Sequence, residues 1–185
     1  QILNAATAIA AVEQLEAQRL PIVQGGISQG LRQVRWEGRL ETVSRQPWVV
    51  LDGAHNRESA RRLCEALASC FGYRRLILVL GVAANKDLEG IIEELVPHAN
   101  QMIATQAEST RAAPPQRLAE LASIWTADVL VQEDVREALA QAIALADEGD
   151  LILVTGSLYL VGDAKRCLPG LLGPAFIGTP LRESA

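Results

Sequence analysis

The chain has 185 residues, of which 49% are hydrophobic and 21% charged, and its formal net charge is -5. This length suits one domain with an appended piece, because domains commonly have about 100 to 200 residues, and the many Ala, Leu, Val and Ile residues are typical of α/β proteins. The acidic balance argues against a nucleic-acid partner, and the lack of an apolar run of about 18 to 20 residues argues against a membrane span.

The first 36 residues predict helices and a linker ahead of the main fold. Residues 4–18 carry apolar side chains at helical spacing and end before Pro21. Residues 22–36 contain three glycines and predict a short helix and a linker. The chain begins without Met in the middle of a helical pattern, so we expect a fragment of a longer protein with a domain boundary near Trp36.

After this boundary, strand candidates alternate with helix candidates. The strand and helix pairs are 48–52 with 57–71, 75–81 with 87–95, 101–105 with 115–122, 128–132 with 134–147, and 150–156 with 157–167. Five βα repeats predict a doubly wound, mostly parallel Rossmann-like sheet of about six strands with helices on both faces. Residues 39–45 predict an extra strand, and the short Gln46-Pro47 connection favours antiparallel pairing because it cannot hold a parallel crossover. From Pro169 onward the chain is predicted to be irregular or mobile.

The three cysteines show no C-x-x-C spacing, which disfavours a zinc or redox site. We expect buried free thiols in a reducing cytoplasm. The start also lacks the charged and apolar regions of a signal peptide. The sequence therefore predicts a cytoplasmic protein.

Polar residues follow four of the predicted strands. The four groups are residues 52–56, "VAANKD" at 82–87, "QAESTRA" at 106–112 after Thr105, and 155–157. Ligands of open parallel sheets bind beyond the carboxyl ends of the strands, where loops converge and helices present their first amides. We therefore expect all four groups on one rim of the sheet.

The residues of these groups have functional explanations, and several have ordinary structural ones as well. Asp52 can accept hydrogen bonds from a ribose diol, whereas Asn56 can simply cap the next helix. His55 is not spaced for a metal site with His98, and a surface histidine is the alternative to a functional one. Ser157 can cap a helix or, with Gly156, hold a carboxylate at the helix N-terminus.

The segment after the second strand candidate is similarly ambiguous. "GVAANKD" at 81–87 lacks the second Gly and the Ser or Thr of a phosphate-binding P-loop. Lys86 could be a solvated surface charge, and Asp87 could cap the following helix.

Five segments together resemble one family. They are "WEGRLE" at 36–41, "LDGAHN" at 51–56, "GVAANKD" at 81–87, "STRA" at 109–112 and "TGSLYLVG" at 155–162. In this order they are similar to the carboxyl-terminal half of folylpolyglutamate synthase and dihydrofolate synthase, members of the Mur ligase family. The opening "QILNAATAIAAVEQL" resembles the last helices of that family's central ATPase domain.

The resemblance implies an ATP-dependent ligase that joins L-glutamate to a folate or dihydropteroate carboxylate through an acyl phosphate. It implies that Arg39, Asp52 and Asn56 bind ATP. It also implies that His55, Gly156, Ser157 and Arg111 bind glutamate, that His55 and Lys86 are catalytic, and that Asp87 supports Lys86. ATP and Mg²⁺ are then held mainly by an amino-terminal ATPase domain of the same polypeptide, and residues 37–185 hold no metal.

The resemblance has one local departure and leaves alternatives open. Glu37 stands where the family has Pro, and the P-loop and pterin pocket of the family lie in its amino-terminal domain. We therefore expect residues 1–36 to be a remnant of the ATPase domain, residues 37–185 to be the glutamate-ligase domain, and the chain alone to be inactive. The alternatives are a stand-alone flavodoxin-like module that binds a nucleotide or partner without catalysis, and a Mur-type ligase for another acid. Dihydrofolate synthase, folylpolyglutamate synthase and a bifunctional enzyme also remain open.

Overall fold

The computed structural model describes residues 2–23, 25–34, 36–125 and 128–178. The chain forms two compact units, residues 1–37 and 38–185. The first unit contains helices α1 (Ile2–Ala17) and α2 (Gly26–Gln33), and α2 has no buried residue. Both helices agree with the sequence prediction to within a few residues.

The second unit is a six-stranded sheet with five helices in the described part of the chain. Its elements are β1 (Glu41–Arg45), β2 (Trp48–Leu51), α3 (Arg57–Cys70), β3 (Leu76–Leu80), α4 (Leu88–Leu95), β4 (Gln101–Ala104), α5 (Pro115–Ala122), β5 (Val129–Val131), α6 (Val135–Leu145), β6 (Leu151–Thr155) and α7 (Leu158–Leu172). The strand order is β1-β2-β6-β3-β4-β5, and only β1 pairs antiparallel. The predicted doubly wound, mostly parallel sheet is confirmed.

The central strands are apolar along their whole length because helices cover both faces of the sheet. Every residue of β3 and β6 is buried. Side chains alternate between the faces, so that Leu153 packs with α3, α4 and α5 while Ile152 packs with α6 and α7. The two resulting cores anchor each strand end in a defined position.

The connections place a crevice at one point on the rim. After β3 the chain turns to α4 on one face, whereas after β6 it turns to α7 on the other face. Because β3 and β6 are neighbours, the loops that follow them run to opposite faces of the sheet and leave a crevice between the two strand ends. This is the topological switch point at which open α/β sheets bind ligands.

The prediction that the chain is irregular from Pro169 onward is wrong for residues 169–175. Helix α7 continues through Pro169 to Leu172, and a short 3₁₀ turn covers Gly173–Ala175. A proline removes one helical hydrogen bond, but the fully buried Leu168 packs this turn against the core. The predicted tail beyond residue 178 lies outside the described residues.

The three cysteines are free, and the prediction that they are buried is wrong for the exposed Cys70. Cys64 and Cys167 are half-buried. Burial raises the pKa of the Cys64 thiol to about 11, and its Sγ donates to the Glu94 carbonyl at 3.3 Å. Cys64 is therefore protonated at neutral pH and is a poor nucleophile.

Candidate functional site

The strand order brings three of the predicted polar groups to adjacent positions on one rim. Strands β2, β6 and β3 lie side by side and parallel. Residues 52–56 follow β2, residues 156–157 follow β6, and residues 81–87 follow β3. The fourth group, residues 106–112, follows β4 beside β3, so the rim expected from the sequence is present in the fold.

Close backbone packing at the switch point requires glycine. Gly156 has a φ of 107°, and a Cβ atom at this position would lie 2.6 Å from the Gly81 carbonyl oxygen. A Cβ at Gly81 would in turn lie 2.9 Å from the Thr105 carbonyl oxygen. The glycines thus let the ends of β6, β3 and β4 approach one another and set the start of α7.

Ser157 begins α7 as its N-cap. Its Oγ accepts a hydrogen bond from the Tyr159 amide at 3.1 Å, and the residue is only 8% exposed. The amides in the first turn of a helix carry partial positive charge and attract anions. Ser157 therefore combines a hydroxyl with a favourable electrostatic position for a carboxylate.

A small open pocket lies directly in front of Ser157. Its lining residues are Gly81, Val82, Ala83, Ala107, Ser109, Arg111, Ala112, Ser157 and Tyr159. Arg111 Nη2 donates to the Tyr159 hydroxyl at 2.8 Å, and the guanidinium carbon lies 5.4 Å from the centre of the Tyr159 ring. A guanidinium beside a helix N-terminus suits a carboxylate ligand, because such hydrogen bonds are charge-assisted.

His55 is held in a defined orientation on the same rim. Its Nδ1 lies 2.8 Å from the Gly53 carbonyl oxygen, and its amide donates to Ser59 Oγ at 3.1 Å. Because a carbonyl only accepts, Nδ1 carries the proton and Nε2 is the basic nitrogen of the neutral ring. His55 is half-buried and does not line the Ser157 pocket.

Asp52 is a buried carboxylate that organises the loops of the rim. Its Oδ2 accepts from the Leu40 amide and its Oδ1 from the Ala54 amide, both at 2.9 Å. Burial raises the pKa of this carboxyl, and the two amides and the charge of Arg39 partly oppose that effect. The predicted contact with ribose stays a prediction, since these hydrogen bonds give Asp52 a structural task as well.

Three other predicted site residues have clear local surroundings. Asn56 forms a capping box with Ser59 at the start of α3, and Asp87 caps α4 by accepting from the Gly90 amide at 2.9 Å. Lys86 is exposed in the turn before α4. Their predicted functional roles remain predictions, and neither Lys86 nor Asp87 lines the Ser157 pocket.

Two contacts on this rim are not predicted by the sequence. Tyr159 meets Arg111 across 48 positions of sequence, although an exposed aromatic in the first turn of a helix after a strand is a usable signal. Lys165, one of the chain's two lysines, is 2% exposed and bonds Glu41 across 124 positions. Its place in the amphipathic α7 does not reveal this partner.

Among the described residues, no three His, Cys, Asp or Glu side chains gather where they could hold a metal ion. No described helix is both long and apolar enough to cross a membrane.

A doubly wound sheet with a polar pocket at its switch point defines an α/β ligand-binding domain. The family follows from comparison with known proteins. Residues 38–158 match the glutamate ligase domain of Mur ligases, and the chain belongs to this family.

Several relatives are folate-linked synthases. A probable bifunctional folylpolyglutamate synthase/dihydropteroate synthase of Halobacterium salinarum is 36% identical over 152 residues, which are 82% of this chain and 18% of that protein. The Yersinia pestis folylpolyglutamate synthase/dihydrofolate synthase complexed with AMPPNP and Mn matches with a TM-score of 0.72 and 32% identity, covering 82% of this chain and 36% of the other. A bifunctional enzyme of the same name with Mn, AMPPNP and L-glutamate bound matches with a TM-score of 0.75 and 32% identity, covering 86% of this chain and 37% of the other. The chain thus spans well under half the length of these relatives.

Proposed function

We propose that the chain supplies the glutamate-ligase part of an ATP-dependent enzyme that joins L-glutamate to a folate or dihydropteroate carboxylate. The observation that carries this proposal is the pocket at the switch point, where Arg111 and Ser157 lie together at the start of α7. The family membership and the L-glutamate bound in a related enzyme support it.

The reaction needs an activated carboxylate, because a carboxylate is a poor electrophile. ATP transfers its terminal phosphoryl group to one carboxylate oxygen of the acceptor, which releases ADP and gives an acyl phosphate. The glutamate amine then attacks the acyl carbon, the new carbon–nitrogen bond forms, and inorganic phosphate leaves with the bonding electrons of the carbon–oxygen bond. The amine loses one proton in this step.

The residues of this chain divide that work by their chemistry. Arg111, Ser157 and the amides that follow Gly156 hold glutamate through its carboxylates. His55 faces the incoming amine or the acyl phosphate, and its Nε2 is suited to accept the amine proton. Lys86 is an exposed cation on the same rim that stabilises phosphate charge, and Asp87 sets the start of α4 behind it.

In this proposal ATP binds at the part of the rim formed by the segment before β1 and the loop after β2. Arg39 contacts a phosphate, while Asp52 and Asn56 contact the ribose in addition to their structural hydrogen bonds. A divalent metal neutralises phosphate charge in such reactions. In this proposal the ligands of Mg²⁺ belong to an amino-terminal ATPase domain of the same polypeptide, and residues 1–36 belong to that domain.

The exposed apolar surface of the first unit supports the proposal that this chain is part of a larger protein. The exposed large apolar residues of this unit are Leu15, Leu20, Val23, Leu31, Val34 and Trp36. Exposed apolar surface of this kind often marks contact with another protein surface. The free cysteines and the use of ATP support a cytoplasmic location.

A ligation assay tests the proposed function. The full-length polypeptide is incubated with ATP, Mg²⁺, radiolabelled L-glutamate and either dihydropteroate or a reduced folate. We expect labelled product in equal amount to the ADP and phosphate formed, and none when ATP is left out. Product from dihydropteroate, from folate or from both identifies the acceptor, whereas no product from either acceptor would contradict the proposal.

A further inference from the structure

We propose that Lys165 and Glu41 act as positioning residues for Arg39. This inference rests on the proposed function, in which Arg39 contacts ATP. Neither Lys165 nor Glu41 belongs to the ligand-binding residues described above. Their contacts nevertheless converge on the three-residue segment 38–40 that carries Arg39.

The first contact is a buried ion pair between α7 and the start of β1. Lys165 Nζ donates to Glu41 Oε1 at 2.8 Å, with the lysine side chain 2% and the glutamate side chain 14% exposed. Little water screens the pair, so its geometry is well defined. The pair thereby connects the segment before β1 to the helix that begins at Ser157.

The second carboxylate oxygen extends this contact to the backbone beside Arg39. The Gly38 amide donates to Glu41 Oε2 at 2.7 Å, and the Gly38 carbonyl accepts from the Gly53 amide at 2.8 Å. A Cβ at Gly38 would lie 3.0 Å from Val161 Cγ1 on α7. Gly38 is therefore held from three sides.

The residue after Arg39 is held as firmly. The Leu40 amide donates to Asp52 Oδ2 at 2.9 Å. Gly38 and Leu40 both have positive φ values, 66° and 45°, and Leu40 is not a glycine. A backbone of this kind persists only where its surroundings determine it, and it is found preferentially at functional sites. Arg39 is exposed between these two held residues.

Stability alone is a weak reason to keep a buried ion pair. Replacing such a pair by apolar residues is often neutral or stabilising, because removing two charges from water is costly. The Lys165–Glu41 pair instead orients the strained segment that carries Arg39, and this positioning is a functional reason for the pair to be present. The carboxylate has two oxygens, and one binds the helix while the other binds the segment.

A double-mutant cycle in the full-length enzyme tests this role. The variants are Lys165→Met, Arg39→Ala and the two combined, with Lys165→Arg as the conservative replacement. We expect Lys165→Met to raise the KM for ATP by about tenfold or more and to leave the KM for glutamate within about twofold. We expect no further loss when it is added to Arg39→Ala, because the two act through one contact. Lys165→Arg should recover most of the activity.

Two further variants keep the test decisive. Arg117→Met removes an exposed ion pair with Glu120 on α5 and should leave every kinetic constant unchanged. Glu41→Gln should reproduce the effect of Lys165→Met and replaces it if Lys165→Met does not fold. Additive losses in the cycle, or an unchanged KM for ATP in the folded variant, would overturn the proposal.

Hydrogen exchange separates this inference from the proposed function. In Lys165→Met the Gly38 amide, which donates to Glu41, should exchange about tenfold faster or more, while the Met102 amide in β4 keeps its protection. If the wild-type enzyme forms no glutamate product, the proposed function fails, yet the exchange result still shows whether Lys165 holds the segment. Unchanged exchange at Gly38 would show that Lys165 does not hold the segment.

Discussion

Two buried aspartates lie at opposite ends of the sheet and have opposite electrostatic surroundings. Asp150, just before β6, accepts from Arg75 Nη2 at 2.5 Å, from Arg74 Nε at 3.3 Å and from the Asp147 amide at 2.9 Å. Hydrogen bonding by Arg75 lowers its pKa to about 2, although burial opposes this. Asp52, just after β2, has its pKa raised by burial.

The difference separates a rim stabilised by ion pairs from the rim that we propose binds ligands. At the amino ends of the strands, two arginines more than offset the burial of a carboxylate. At the carboxyl ends, backbone amides only partly offset it. Ionisable groups whose burial is only partly compensated are found preferentially where a protein binds or transforms a ligand. Variants at the two ends should therefore affect different quantities.

The largest effect is expected at His55, with His98 as the matched control. His55→Ala in the full-length enzyme should lower kcat by about 100-fold or more, since an oriented group that acts on the reacting atoms contributes that much. His98, exposed in the short turn before β4, lies near the opposite rim, and His98→Ala should leave kcat unchanged. Steady-state kinetics of both variants check this, and equal losses would break the comparison.

A smaller and more selective effect is expected at Ser157. Ser157→Ala should raise the KM for glutamate by about 10- to 100-fold and leave the KM for ATP nearly unchanged, because one charge-assisted hydrogen bond contributes about 1.5 to 3 kcal/mol. Ser123→Ala at the exposed end of α5 is the matched control. Equal changes in both KM values would contradict the glutamate assignment.

At the other rim the effect should be on stability. Asp150→Asn should reduce the free energy of unfolding of the 185-residue chain by about 2 to 3 kcal/mol, because it weakens hydrogen bonds to charged groups around a buried side chain. Asp147→Asn removes an exposed partner of the same arginines and should cost less than about 1 kcal/mol. Urea unfolding measures both, and an equal cost would show that burial of Asp150 is unimportant.

The smallest effect concerns pH. The pKa of Asp150 is lower in the folded state, so its contribution is complete above the unfolded pKa of 3.8 and is lost as the pH falls towards about 2. The pKa of Asp52 is raised, so folding is favoured by its protonated form and stability falls as the pH rises through the range above 3.8. Urea unfolding between pH 2 and 6 measures how the free energy of unfolding depends on pH. Asp150→Asn should remove a contribution that rises with pH, and Asp52→Asn should remove one that falls with pH. Slopes of the same sign would contradict the comparison.

Local patterns in the sequence are sufficient for the sheet and for much of its rim. Apolar runs such as 76–80 predict buried parallel strands, and the polar residues that follow them lie on one rim because parallel strands end on the same side. Contacts between distant segments are beyond such patterns. The burial of Lys165 against Glu41, and of Leu168 beneath a helix that continues past Pro169, depends on packing that only the folded chain provides.

The two lysines show the limit of local patterns. Lys86 lies in a polar loop and is exposed, whereas Lys165 lies in an amphipathic helix and is buried. A helical lysine is ordinarily solvated, so its burial has no local signature. Tyr159 is exposed in the first turn of α7, but its hydrogen bond with Arg111, 48 positions away, likewise has no local signature.

The central claim is that glutamate binds at the carboxyl-end rim, in front of Ser157. A crystal structure of the full-length enzyme with L-glutamate, Mg²⁺ and a non-hydrolysable ATP analogue tests it most directly. The account predicts a glutamate carboxylate within hydrogen-bonding distance of Ser157 or Arg111, with the amine directed towards His55. Glutamate bound elsewhere, for example in the neighbouring crevice lined by Glu108, Asp134 and Arg166, would contradict the account.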